Sequence, residues 1–247
     1  MKQIKQLGQN FLVDTTAINS FISFCNLQKT DNVLEIGIGQ GALTKQIAPK
    51  VSKVVGIEID LNCINYVNNL KIENVQIINA NFLNLDLYQT IKQHNINKVV
   101  GAIPYYITSP IIHKIITEAT TPLQTVYLIT QKEFAQKVID TKKRSYFTNL
   151  IEQYGNISRG QVILKTSFNP VPKVDSYFFG IQFKNYPKTS TNVVKWSKFL
   201  HKGFATPRKK INKVFDKQKL LQLNIDPNLR PSQLTLIDWQ NIYNCRE

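Results

Sequence analysis

Asn32-Val33-Leu34-Glu35-Ile36-Gly37-Ile38-Gly39-Gln40-Gly41 is the stretch that decides the architecture of this 247-residue chain. Its first half is a short, mostly apolar run, as in a strand buried on both faces of a sheet. The run ends in glycines at every second position. Glycine reaches backbone angles closed to other residues and lets a ligand approach the main chain. A strand entering such a turn marks the nucleotide-binding edge of an α/β sheet, with a helix expected from about Gly41 to Lys50.

The same rhythm spreads outward from the turn. Upstream, Ala17, Ile18, Phe21, Ile22 and Cys25 fall at helical spacing within 14–27. Downstream, strands are expected at 54–59, 75–78, 98–101 and 125–130, and helices at 61–71, 88–94 and 109–119. Strands alternating with helices imply βαβ units and a parallel sheet covered on both faces. Two further strand-like stretches, 161–166 and 176–183, flank Phe168-Asn169-Pro170-Val171-Pro172 and suit an antiparallel hairpin closing the sheet. Residues 184–189 read as a linker, after which the period is helical at 192–204, 207–216, 217–223 and 232–244. The expected organisation is an α/β domain over 1–184 and a small basic helical domain over 185–247.

Composition narrows the function. The three cysteines (Cys25, Cys63, Cys245) are far apart and form no CxxC, which argues against a disulfide framework and against a zinc site built on cysteine pairs. The three histidines are equally scattered, and no metal is expected. No apolar run reaches the roughly 18–20 residues that span a bilayer, and Met1-Lys2-Gln3-Ile4-Lys5-Gln6 has no secretory character, so a cytoplasmic protein is expected. The formal net charge is +15, and residues 184–247 hold 13 of the 31 Lys/Arg against 4 of the 16 acidic residues. An AT-rich genome inflates lysine but requires no shortage of acids. A concentrated positive field of this kind suits a polyanion, and nucleic acid fits better than an acidic membrane because no basic amphipathic anchor is present.

Glu58 ends the second sheet strand about 20 residues after the turn, where an acidic side chain can accept from both ribose hydroxyls. Its plainer reading is a solvated charge at a strand end. The GxGxG spacing departs from the dinucleotide fingerprint GxGxxG. Turn and acid together favour an adenosine-containing cofactor without choosing between a nicotinamide and S-adenosylmethionine. Ala102-Ile103-Pro104-Tyr105-Tyr106 follows the strand at 98–101, again at the carboxyl edge of the sheet. A base taken out of its helix needs partners for its edge and an aromatic for its face, and a Pro-aromatic loop offers both. A rigid loop holding a core tyrosine is the plainer alternative.

At this point the chain resembles the ribosomal RNA adenine dimethyltransferases. The resemblance is carried in order by Gly8-Gln9-Asn10-Phe11-Leu12, Glu35–Gly41, the IPYY loop, Gln131-Lys132-Glu133 and Phe168–Ser176. In the tail, Phe204–Lys210 and Asn224–Pro231 are similar to the branch acting on the small subunit more than to the branch acting on the large one. The resemblance implies a Rossmann-like, S-adenosylmethionine-dependent fold and dimethylation of two adjacent adenines near the 3′ end of small-subunit rRNA. It further implies a monomer acting on the immature small ribosomal subunit. Gln9, Asn10 and Leu12 would line the methionine end of the cofactor, Gly37, Gly39 and Gly41 would form its cradle, and Glu58 would hold the ribose. Asn81 would read the cofactor's adenine, and Ala102, Pro104, Tyr105 and Phe168 would form the catalytic set, the two rings sandwiching the target base. Arg208, Lys209, Lys210 and Lys213 would contact RNA phosphates.

Two positions depart from the family pattern. Asn81 stands where Asp is usual, leaving an amide oxygen without charge assistance and implying weaker cofactor binding. Ala102 stands where Asn is usual and removes one acceptor for the target amine. A weakened or inactive ribosome-assembly factor of the same fold is therefore a rival reading. An NAD-dependent oxidoreductase is a second rival, disfavoured by the GxGxG spacing and the IPYY loop.

Overall fold

The computed structural model describes residues 9–118, 122–184 and 190–245. Gly8, the N-terminal hexapeptide, Ala119 and positions 185–189 of the expected linker lie outside the described residues.

In chain order the elements are β1 (Phe11–Leu12), α1 (Thr15–Phe24), β2 (Asn32–Ile36), α2 (Thr44–Ile47), β3 (Lys53–Glu58), α3 (Leu61–Asn68), β4 (Val75–Asn79), α4 (Leu87–His94), β5 (Lys98–Ala102) and α5 (Thr108–Glu118). They continue with β6 (Thr125–Gln131), α6 (Lys132–Ile139), α7 (Tyr146–Tyr154), β7 (Gly155–Ile163), β8 (Phe168–Asn169), β9 (Ser176–Phe183), α8 (Ser190–Phe204), α9 (Lys217–Gln222) and α10 (Leu236–Asn244). Seven strands form one sheet in the order β4-β3-β2-β5-β6-β9-β7. The strands from β4 to β6 are parallel, and β9 runs antiparallel between β6 and β7. The chain leaves β2 for β3 on one side and returns to β5 on the other. The carboxyl ends of β2 and β5 therefore open the crevice where open α/β sheets take their ligands.

This is the expected α/β, Rossmann-like class, with several local differences. The helix expected over 41–50 begins only at Thr44 and gives way to a 3₁₀ turn at Ala48–Lys50. Gly37, Gly39 and Gly41 hold φ of +71°, +50° and +74°, so the backbone cannot turn helical until the third glycine is passed. The strand expected over 161–166 is β7, and Lys165–Ser167 form a 3₁₀ turn instead. An irregular register between Arg159 and Val162 interrupts the alternation that would have revealed its first half. The helix expected over 207–216 is an irregular segment with a single 3₁₀ turn at Ile211–Lys213. Pro207 disfavours helical backbone before it, and Asp216 caps the next helix by accepting from the Lys219 N–H. The last helix starts at Leu236, not 232, with Thr235 and Asp238 in a capping box.

The C-terminal helices are packed onto the sheet domain: α8 lies against α5 and α7, and α10 against α7 and α8. One apolar cluster runs from Leu34 and Ile36 to Trp196, Phe199, Trp239 and Ile242. Gly203 gives the Trp239 ring its seat, because a Cβ there would lie 2.4 Å from ring carbons. Among the described residues no helix is long and apolar enough to cross a membrane.

At the edge of the sheet opposite the crevice, Lys98 and Asp31 form a buried ion pair at 2.9 Å, their side chains 8% and 5% exposed. Asp31 also accepts from the Gln28 N–H at 2.6 Å and the Asn97 amide at 2.8 Å, while the Lys98 ammonium donates to the Asn26 carbonyl at 2.6 Å. The pair ties the loop before β2 to the start of β5. Removing one partner leaves the other charge buried alone, so Asp31→Ala is expected to lower the unfolding free energy by about 3–5 kcal/mol in a urea titration. A loss below about 1 kcal/mol would contradict this role.

Candidate active site

A cleft of about 250 Å³ opens at the carboxyl ends of β2 and β5. Three segments build it: the glycine turn after β2, the loop after β5, and the N-terminal strand laid across both.

The turn is held by its backbone. The Gly37 N–H donates to the Ile57 carbonyl at 2.9 Å, and the Gly39 N–H donates to Glu58 Oε2 at 2.9 Å. Glu58 Oε1 accepts from the Ile59 and Asp60 N–H groups at 2.8 and 2.9 Å. An ionised carboxylate has about four acceptor positions, so three are engaged in shaping the loops and roughly one remains for a ribose hydroxyl. The expectation that Glu58 takes both hydroxyls is thus narrowed to about one. Gly37 faces the other loop, since a Cβ there would lie 4.0 Å from the Ala102 carbonyl oxygen. Gly39 lies under the Phe11 ring, 2.9 Å from its notional Cβ. Gly41 does not reach the cleft; it packs against Val67 and Leu70 around α3, a helix-packing position.

The N-terminal strand is fixed from the far end of the sheet domain. β1 pairs with β8, setting Leu12 opposite Phe168 and Phe11 opposite Asn169. The Ser167 hydroxyl donates to Asp14 Oδ2 at 2.8 Å, and the Val13 N–H to the Ser167 carbonyl at 2.9 Å. Gln9 donates its amide to Asp60 Oδ2 at 3.1 Å, while its own Oε1 is buried without a partner among the described residues. Burial alone would raise Asp60, but the Gln9 and Asn62 bonds to it outweigh that and hold it below the usual carboxylate range. Gln9, Asn10, Phe11 and Phe168 all line the cleft, and Leu12 lines an adjoining cavity beneath the turn.

Ala102, Pro104 and Tyr105 line the same cleft. The Pro104 carbonyl accepts from the Ile107 N–H at 3.3 Å and the Thr108 hydroxyl at 3.4 Å, so it is taken up by the start of α5. The carbonyl one residue earlier, on Ile103, accepts no hydrogen bond among the described residues. Of these two carbonyls, that of Ile103 is the open acceptor. The Tyr105 hydroxyl is 2.6 Å from Ser176 Oγ, which fixes the ring at the mouth. Burial pushes the Tyr105 phenol up, the Ser176 bond lowering it only in part.

Asn81 caps the 3₁₀ turn Phe82–Asn84, its side-chain oxygen accepting from the Leu83 N–H at 3.0 Å. One of the two acceptor positions on its amide oxygen is therefore engaged, and its –NH₂ group is a donor, which an adenine amine cannot pair with. Arg208, Lys209, Lys210 and Lys213 are all exposed, on the irregular segment after α8. Lys210 donates to Asn228 at 2.8 Å.

Several cleft residues carried no signal in the sequence. Ile57, Ile59, Phe82 and Ile103 supply apolar walls. Ser176 and Asp60 position other groups from strand and helix ends.

An adenosine derivative with a polar tail suits this cleft: apolar side walls, a glycine cradle, an acid over the turn, and an amide oxygen without a partner at the N-terminal flap. The model of the family described as ribosomal RNA adenine dimethylase matches residues 1–245. A "Ribosomal RNA small subunit methyltransferase A" from Mycoplasma capricolum is 33% identical, covering 99% of this chain and 97% of that protein. Its namesake from Mesoplasma florum is 36% identical, covering 97% of each. The crystal structure of a dimethyladenosine transferase from Plasmodium falciparum superposes with a TM-score of 0.80 at 23% identity, covering 94% of this chain and 95% of that one. Sequence, fold and cleft converge, and the chain belongs to the ribosomal RNA adenine dimethylase family, enzymes that methylate rRNA.

Proposed function

We propose that this methyltransferase uses S-adenosylmethionine to dimethylate the N6 amines of two adjacent adenines near the 3′ end of small-subunit rRNA during subunit assembly. One observation carries the reading: the glycine turn, Glu58, the open Ile103 carbonyl, Tyr105 and Phe168 meet in a single cleft at the switch point of the sheet. The names of the relatives support the small subunit as target. In this reading residues 1–184 are the catalytic domain and 185–247 the RNA-binding domain, and the protein works as a cytoplasmic monomer.

When bound, S-adenosylmethionine supplies a methyl group already activated by its sulfonium, so no side chain has to act as a nucleophile. Asn10 and Leu12 would flank its amino-acid end, Gly37 would lie beneath it, and Glu58 would take a ribose hydroxyl. The difficulty in the reaction lies in the acceptor, because the N6 lone pair of adenine is delocalised into the ring. Tyr105 and Phe168 hold the extruded base by its faces. The Ile103 carbonyl accepts one N6 hydrogen, drawing the amine toward a geometry in which its lone pair is free. Positioning of this kind provides much of the acceleration. The proton lost after transfer passes to solvent.

A second acceptor on the amine would come from position 102, where Ala102 has none to offer. This supports a weakened enzyme that keeps its RNA contacts. Ala102→Asn is expected to raise the single-turnover methylation rate on immature small subunits by about 10²–10³, the usual worth of one preorganised hydrogen bond at a reacting centre. An unchanged rate would remove Ala102 as the explanation. Asn81→Asp replaces the –NH₂ donor with a second, charged acceptor oxygen and is expected to tighten S-adenosylmethionine binding about fivefold in a calorimetric titration. Changing Arg208, Lys209 and Lys210 together to Ala should weaken subunit binding and reduce the slope of log K against log salt by about 2. Binding that is indifferent to this triple change at moderate salt would place the RNA surface elsewhere.

A further inference from the structure

Tyr106 is the large side chain of the cleft that no role above employs. It belongs to the 3₁₀ turn Tyr105–Ile107 after β5 and lines the same cleft as Tyr105 and Phe168. Those two rings are held in place: Phe168 is 4% exposed, and the Tyr105 hydroxyl lies 2.6 Å from Ser176 Oγ. Tyr106 is 61% exposed, packs into neither apolar cluster of the core, and its hydroxyl has no hydrogen-bond partner among the described residues. A single exposed aromatic is ordinary on a protein surface. At the rim of a cleft, beside two rings that take a base, it also presents a flat apolar face at a defined place.

Turn geometry gives the two tyrosines different tasks. With about three residues per 3₁₀ turn, successive side chains diverge by roughly 120° about its axis. Tyr106 therefore cannot share the sandwich of Tyr105 and Phe168, although both tyrosines stand on the same short loop. That loop is anchored, because the Ile107 N–H and the Thr108 hydroxyl both donate to the Pro104 carbonyl. The backbone under Tyr106 is fixed while its ring is open to solvent.

The substrate reading above brings two adjacent adenines to this mouth, and the present inference rests on it. Drawing one base between Tyr105 and Phe168 strips its neighbour of a stacking partner, and that loss opposes extrusion. An aromatic side chain can replace the lost face, since every base has a π surface and stacking needs no particular edge. We propose that Tyr106 is this replacement, a positioning residue that stacks on the nucleotide next to the target base. Stacking is tolerant of base identity, so the ring serves whether the neighbour is the second adenine or the nucleotide flanking the pair. Its contribution lies in RNA affinity and not in methyl-donor affinity.

The test is a cycle between protein and RNA, read by fluorescence anisotropy with the full chain and saturating S-adenosylhomocysteine. One hairpin RNA carries the adenine pair in its loop, and two others carry an abasic site in place of the first or the second adenine. Tyr106→Ala is expected to weaken the paired-adenine hairpin about tenfold, and Tyr106→Phe, which keeps the face, to stay within about twofold of the parent. On at least one abasic hairpin the Ala penalty should shrink to within about twofold, because the base that the ring would cover is gone. Calorimetric affinity for S-adenosylmethionine should change less than about twofold in either variant. No loss with Tyr106→Ala, a full penalty on both abasic hairpins, a Phe variant as weak as Ala, or a matching loss of S-adenosylmethionine binding would each overturn the proposal and leave the substrate reading standing. A parent chain that binds the paired adenines no better than two uracils at the same positions would sink the substrate reading, and this inference with it.

Discussion

The Glu58 carboxylate accepts N–H groups from two different loops, and the shape of the cleft depends on that bridge. Gly39 on one side and Ile59 and Asp60 on the other converge on its two oxygens. Hydrogen bonds to a carboxylate are shorter and stronger than neutral ones, and the Glu58 side chain that collects them is buried. The bridge keeps the glycine turn from collapsing into a helix start and aligns the end of β3 with the start of α3. Through Asp60 it extends to Gln9, so that the N-terminal flap, the turn and the loop after β3 form one connected set of polar contacts.

Much of this organisation could be read from residue order. Runs such as Asn32–Ile36 and Lys98–Ala102 are short and apolar on both faces, and their spacing by helices leaves little choice but a parallel sheet. The glycines announced the turn, and Glu58 announced itself by distance from it. What stayed hidden depends on partners far away in sequence. β1 and β8 are two residues each, too short for any period, and exist because each completes the other. The cap made by Asn81, the anchoring of Tyr105 by Ser176 and the displacement of Gly41 from the cleft toward α3 are tertiary facts with no local signature. α6 and α7 each carry a legible helical stripe, Phe134, Ala135, Val138 and Ile139 in one and Tyr146, Phe147, Leu150, Ile151 and Tyr154 in the other, although neither is among the expected elements; they pack against β9 and α8.

The site divides chemical labour unevenly between backbone and side chains. Turn N–H groups, the Ile103 carbonyl and the β1–β8 ladder belong to the main chain and survive almost any substitution that preserves the fold. Side chains supply the aromatic faces, the acid over the turn and the acceptor missing at position 102. A chain built this way can lose reactivity one side chain at a time while its shape, its charge distribution and its binding surfaces persist. In the proposed reading Ala102 is such a case, a methyl group in the wall of the cleft where an acceptor would act.

The pairing of β1 with β8 also bears on how the protein comes into being. Asp14 and Ser167 are bonded across 153 positions of chain, and the flap that covers the turn is the first described segment while the strand that holds it is nearly the last of the sheet domain. Contacts of such long sequence separation carry the largest loop-closure entropy and form late. The parallel half of the sheet, by contrast, is assembled from pairings 21 to 27 residues apart, with one of 65 between β2 and β5. On a chain emerging from its own ribosome, the nucleotide turn takes shape while its cover is still an unattached leader. An rRNA methyltransferase is thus completed only after synthesis has passed β8, when the leader finds the strand that makes it a wall.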